Sequence, residues 1–129
     1  MHSPIVVNED DDRFSIAESS TPGAGDGLFA RVPLEKGARL RVVGVRVAPN
    51  SVADRCTRYA DEHKYRVGDS LLIPLGYGAM ANHSSTPNVA KVVDGHDVYL
   101  QALRDIEAGE ELCFAYDAYA LERFGIPTT

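Results

Sequence analysis

Residues 102–116 read ALRDIEAGEELCFAY. Two β-prone runs are separated here by a polar turn, and Gly109 can adopt the positive φ that a tight connection between strands often demands. Ile106 supplies a buried anchor just ahead of the turn. Residues 30–40, ARVPLEKGARL, repeat the arrangement with Leu34 as anchor and Gly37 as the turn glycine. Both stretches are expected to form strand, turn, strand. Two such units predict a pair of small sheet corners, because a solenoid would need at least about three repeats.

Outward from these corners the chain continues in the same style. Short β-prone runs (FSIA, LFARV, RLRVVGVRVA, LLIPL, VAKVV, VYLQAL, ELCFAY) alternate with Gly, Pro, Asn and Asp, a pattern of many short strands. Helical spacing is confined to residues 51–64, SVADRCTRYADEHK, expected as an exposed helix or turn, and to a terminal turn, AYALERF. The class is therefore mainly β with minor helix. At the N-terminus a short β-like PIVV precedes an acidic run, NEDDDR, expected to be a solvated turn or frayed end.

Composition narrows the function classes. A chain of 129 residues fits one domain over 1–129, and 44% hydrophobic with 25% charged residues lies in the range of folded globular proteins. The longest apolar runs fall far short of a bilayer crossing, and no basic region leads into an apolar stretch, so neither membrane insertion nor a secretion signal is expected. Two cysteines, Cys56 and Cys113, without CxxC spacing suit buried thiols in a reducing, cytoplasmic compartment. The four histidines show no ligand spacing, and no metal is expected. A net charge of −6 argues against direct nucleic-acid binding and suits either a basic partner or solubility alone.

Two motifs invite chemistry. TPGAGDGLFA, from Thr21, lacks the third glycine and the following helix of a dinucleotide fingerprint, since Leu28 occupies the glycine position and Pro33 follows. A hairpin, or close approach of main-chain amides to a ligand, remains. GYGAMANHSSTPN, residues 76–88, sets a polar cluster behind a run of small residues. By residue type alone that cluster is a surface loop. His83 beside Ser84 does not make a hydrolytic pair, because no G-x-S-x-G elbow is present.

Taken together and in order, GAGDGLFARVPLEKGARL, GYGAMANHSSTPN and ALRDIEAGEELCFAYDAY resemble the SET-domain family of protein lysine methyltransferases over about residues 21–119. The type most similar is the minimal stand-alone SET protein of viruses and bacteria. The resemblance implies a SET fold: small β-clip-like sheets, short helices and a C-terminal segment threaded under a loop. It implies S-adenosylmethionine as cofactor, with main-chain contacts from Gly25, Asp26, Gly27 and Leu28, a side-chain hydrogen bond from Asn82 to the cofactor's amino-acid end, and the His83 backbone facing the adenine. Small residues at Gly78, Ala79 and Ala81 would permit the tight crossing, Ser84 and Asn88 would hold the loop, and Tyr77 would pack. Tyr116 matches the active-site tyrosine, whose hydroxyl lies near the transferred methyl; outside that motif it would read as a core or edge aromatic. Tyr65, Phe114, Tyr119 and Phe124 are the implied walls of the lysine channel. Asp26 and Lys91 depart from the family's usual residues.

The implied substrate is a basic protein or peptide, a histone or histone-like tail, presented as an extended segment and drawn by acidic residues including Glu9 to Asp12, Asp61 and Glu62. A nuclear or chromatin location follows if the source is a eukaryote or its virus. A homodimer could complete the substrate cleft. The rival reading is a non-catalytic SET-like module that binds peptides or assists assembly, with Asp26 and Lys91 as its support.

Overall fold

The two echoed stretches interlock. In a computed structural model that describes residues 9–61 and 64–115, Leu34 and Ile106 form a bridge in which each amide donates to the other's carbonyl at 2.8 Å. Gly37 N–H donates to Ala102 O at 2.9 Å, and Gly109 N–H donates to Ala30 O at 2.7 Å. Ala102 N–H reaches Ala38 O at 2.8 Å, as Ala30 N–H reaches Glu110 O at 3.0 Å. Each bond in one unit thus has a counterpart in the other, giving a local two-fold relation. Gly37 (φ 91°) and Gly109 (φ 90°) take the left-handed conformation their turns require.

Nine strands are present among the described residues. β1 (Phe14–Glu18), β2 (Asp26–Ala30), β9 (Glu111–Phe114) and β6 (Asn82–His83) form one sheet in the order β1-β2-β9-β6. β4 (Tyr65–Val67), β5 (Ser70–Leu75), β3 (Arg39–Val47), β8 (Asp97–Ala102) and β7 (Val89–Asp94) form the other, ordered β4-β5-β3-β8-β7. The first echoed unit runs from β2 into β3 and the second from β8 into β9, so each unit contributes one strand to each sheet. Strand β3 changes partner midway: Arg39–Val42 pair with β8, and Val43–Val47 pair with β5. Gly44 allows this, since a Cβ there would lie 2.2 Å from Ile73 O.

Alternation along the strands builds a core shared by both sheets. In β8, Val98, Leu100 and Ala102 point inward, and Leu28, Val89, Leu100, Ile106 and Leu112 are the largest wholly buried side chains. Each such aliphatic side chain contributes roughly 1.5–3 kcal/mol by leaving water.

All seven β-prone runs contain strands, and the mainly β architecture is as expected. Three expectations are sharpened or changed. Residues 51–64, expected as an exposed helix or turn, supply both: a short helix α1 (Val52–Cys56), capped by Ser51, gives way to a 3-10 turn at Arg58–Ala60. Lys64 then turns inward and bonds Asp54 Oδ1 at 2.7 Å and Asp61 Oδ1 at 2.6 Å, with its side chain 3% exposed. Burial alone would lower the Lys64 pKa, but these carboxylates raise it. Asp61 is therefore committed inside the protein and is not a docking acid. Second, the acidic run is partly tied down: Glu9 accepts from Tyr77 N at 2.6 Å, and Asp11 pairs with Arg13 at 2.7 Å. Third, Cys56 is exposed rather than buried. PIVV and the terminal turn AYALERF lie outside the described residues.

Candidate functional site

The polar cluster NHSSTPN is more than a surface loop. Asn82 and His83 form β6, which runs parallel to β9 with Asn82 opposite Cys113 and His83 opposite Phe114. Ser84 N–H extends the ladder to Phe114 O at 3.1 Å, and Thr86 N–H folds back on Ser84 Oγ at 3.1 Å. Asn88, buried to 6% exposure, closes the loop with a side chain that acts as a peptide group: Nδ2 donates to Glu111 O at 2.8 Å and Oδ1 accepts from Cys113 N at 2.9 Å. The approach to this crossing needs small residues. A Cβ on Gly78 would lie 2.7 Å from Val42, and Ala81 is buried.

The glycine-rich segment meets the cluster through Asn82, whose Nδ2 donates to Asp26 O at 3.1 Å and to Glu111 Oε2 at 3.0 Å. Gly27 is buried at this junction, where a Cβ would fall 2.5 Å from Glu111 Oε2 and 3.3 Å from Asn82 Nδ2. Gly25 is exposed with φ 74°, and its carbonyl accepts from Ser19 N at 2.8 Å. Leu28 is wholly buried, so its side chain is not available to a ligand. Asp26 presents its carbonyl to Asn82 and its side chain to solvent.

Glu111 is the residue that sequence reasoning missed. Its carboxylate receives Ser19 Oγ at 2.8 Å, Ser20 Oγ at 2.9 Å and Ser20 N at 3.1 Å, besides Asn82. Partial burial would raise its pKa, but the donors from Asn82, Ser19 and Ser20 prevail and hold the carboxyl below its ordinary value. Only the GEEL string could have marked it, and two adjacent glutamates do not reveal which one points inward.

Tyr65 and Phe114 come together, with ring centroids 5.4 Å apart, and the Tyr65 hydroxyl donates to Gly78 O at 2.6 Å. Both are buried. Tyr77 packs against the core beside Phe14, 5.9 Å between centroids. Lys91 Nζ donates to Arg66 O at 2.9 Å and so is fastened onto β4, the strand that carries Tyr65. Tyr116, Tyr119 and Phe124 fall outside the described residues. A cleft of about 540 Å³ opens beside the crossing, lined by Ser20, Thr21, His83, Ser84, Glu111 and Cys113 among others.

Cys113 is half-buried beside Glu111, and burial with that neighbouring carboxylate pushes its thiol up to about 11. At pH 8 roughly one thiol in 1,000 is then ionised. Iodoacetamide at pH 8 should therefore modify exposed Cys56 well before Cys113, as peptide mapping by mass spectrometry will show. Equal rates would contradict the arrangement described.

Two interlocked strand units and a parallel NH strand against the last described strand define a mainly β domain of SET architecture. The chain belongs to the SET-domain family, whose model matches residues 25–117. Among solved structures it is similar to a Plasmodium falciparum protein provisionally assigned as a histone methyltransferase, with TM-score 0.67 and 22% identity over 84% of this chain and 96% of that one. It is equally similar in fold to a humanized mutant of the Chaetomium thermophilum Polycomb Repressive Complex 2 bound to an inhibitor, with TM-score 0.67 and 22% identity over 80% of this chain and 14% of that one. A search of curated proteins found no match.

Proposed function

We propose that this chain transfers a methyl group from S-adenosylmethionine to the side-chain amine of a lysine in a basic protein, a histone or histone-like tail being the favoured class. The supporting observation is the parallel pairing of Asn82–His83 with Cys113–Phe114. It sets the polar cluster beside the strand that leads to Tyr116, while Asn82 ties the same place to the Gly25–Leu28 backbone.

The residues present fit the cofactor. Both amide hydrogens of Asn82 are committed to Asp26 O and Glu111 Oε2, so its free offering is the acceptor Oδ1, suited to an α-ammonium. Gly27 lets the Glu111 carboxylate and the Asn82 amide come close to the β2 backbone, an approach that any side chain there would block. The Gly25, Asp26, Gly27 and Leu28 backbone would hold the ligand's polar end, and the His83 backbone would border the adenine. When bound, S-adenosylmethionine supplies an electrophilic sulfonium methyl.

Free lysine, with a pKa near 10.4, is almost wholly protonated at neutral pH. The apolar wall made by Tyr65 and Phe114 disfavours ammonium and so promotes loss of that proton without a strong dedicated base. Tyr119 and Phe124 are assigned to the same channel. Tyr116 orients the neutral amine for in-line attack, an effect of alignment more than proton abstraction.

Calorimetric titration with S-adenosylmethionine and S-adenosylhomocysteine tests this reading without a guess about substrate. Saturable binding is expected, weakened about tenfold or more by Asn82→Ala, in keeping with roughly 1.5–3 kcal/mol for a hydrogen bond to a charged group. Absence of heat from a folded protein at millimolar-range ligand would favour the non-catalytic module. Neither former support of that rival blocks the site, since the Asp26 side chain faces solvent and Lys91 is held on Arg66 O.

A further inference from the structure

We infer that Glu111 is a positioning residue that fixes the Asn82 side chain and couples it to the β1–β2 connection at Ser19 and Ser20. The inference rests on the reading of Asn82 as a cofactor contact and adds a residue to it.

Three segments distant in sequence converge on this one carboxylate. Oε1 receives Ser20 N–H at 3.1 Å and Ser20 Oγ at 2.9 Å; Oε2 receives Asn82 Nδ2 at 3.0 Å and Ser19 Oγ at 2.8 Å. Two of the donors, Ser20 N–H and the Asn82 amide, have no acceptor capacity at the contacting atom, and they lie on opposite oxygens. The site therefore demands an acceptor on both sides, which a carboxylate provides and a neutral amide does not. Glutamine at 111 would turn its NH₂ toward either Ser20 N–H or Asn82 Nδ2. Rotating the Asn82 amide gives no escape, because Nδ2 also donates to Asp26 O and its oxygen would then face that carbonyl.

The geometry carries a second consequence. Ser19 N–H holds Gly25 O at 2.8 Å, so the connection from Ser19 to Gly25 is fastened at both ends, at Glu111 and across its own neck. Asn82, Gly27 and this connection share a single anchor. Displacing Glu111 should move all three together, and loosening the connection at Ser20 should be felt at Asn82.

The test uses two variants of the whole chain, Glu111→Gln and Ser20→Ala, and their combination. In ¹⁵N NMR spectra of the ligand-free protein, Glu111→Gln should shift the Asn82 side-chain amide and the Gly25 and Gly27 backbone amides, while resonances of the five-stranded sheet stay in place. By calorimetry it should weaken S-adenosylhomocysteine binding about tenfold, and Ser20→Ala by a smaller factor. In the double variant the Ser20 effect should largely vanish, because both changes act through one carboxylate. Asn82 resonances that do not move in Glu111→Gln, or affinities within twofold of the parent, would overturn the inference, as would additive effects in the double variant. If the parent itself fails to bind, the functional reading falls by that result, and the Asn82 resonances alone decide the positioning role. Glu111→Asp provides a guard against gross misfolding: it keeps both acceptors at shorter reach and should recover part of the Asn82 environment.

Discussion

Tyr116→Phe protein should bind S-adenosylmethionine with the parent's affinity and methylate its substrate about a hundredfold more slowly, the loss expected when one oriented hydroxyl is removed from a transition state. Only that hydroxyl is lost, and the aromatic ring is kept. On the proposed reading alignment matters most as the amine attacks, so the change should fall on kcat, while cofactor affinity should rest on the groups assigned to β2, β6 and β9. Equal turnover by the two proteins would remove Tyr116 from the reaction. A parallel loss of cofactor affinity would instead assign it to binding.

Asn88→Ala should be the most destabilising single change at the site. Its amide is buried and makes a paired contact with the backbone of β9, giving to Glu111 O and receiving from Cys113 N. Truncation strands one carbonyl and one N–H, each at about 1–3 kcal/mol, for a total of about 2–6 kcal/mol. Chemical denaturation should show the midpoint falling with little change in slope. Asn88→Asp, which restores the acceptor but not the donor, should recover only part of the loss. A variant within about 0.5 kcal/mol of the parent would mean that the loop is held by other contacts.

The strands were legible because period-two alternation and turn residues write them into the chain, and residues 98–102 of β8 are a clear case. The corner glycines were legible for a related reason: few residues other than glycine accept the φ near 90° found at 37 and 109. Strands β4 and β6 were not legible. A strand of two or three residues is too short to show a period, and Asn82–His83 owes its conformation to β9 rather than to its own composition. Glu111 and the Lys64 pair were hidden for another reason, since their partners lie far away in sequence or across a turn that gives no signal. Asn82, His83 and the glycines came from ordered motifs that composition alone left ambiguous between turn and ligand site.

The position of β9 also bears on how the molecule is made. It lies between β2 and β6, yet it is the last described strand to leave the ribosome. A nascent chain that has already produced β2 and β6 holds them with no strand between, and Glu111 and Cys113 do not yet exist to receive Asn82 and Asn88. Synthesis proceeds from the N-terminus, so capture of the proposed cofactor would not guide the early stages of folding. On the proposed reading it can begin only when translation of this segment is finished, and a polypeptide cut short before β9 should be unable to sequester cofactor or modify a protein at random.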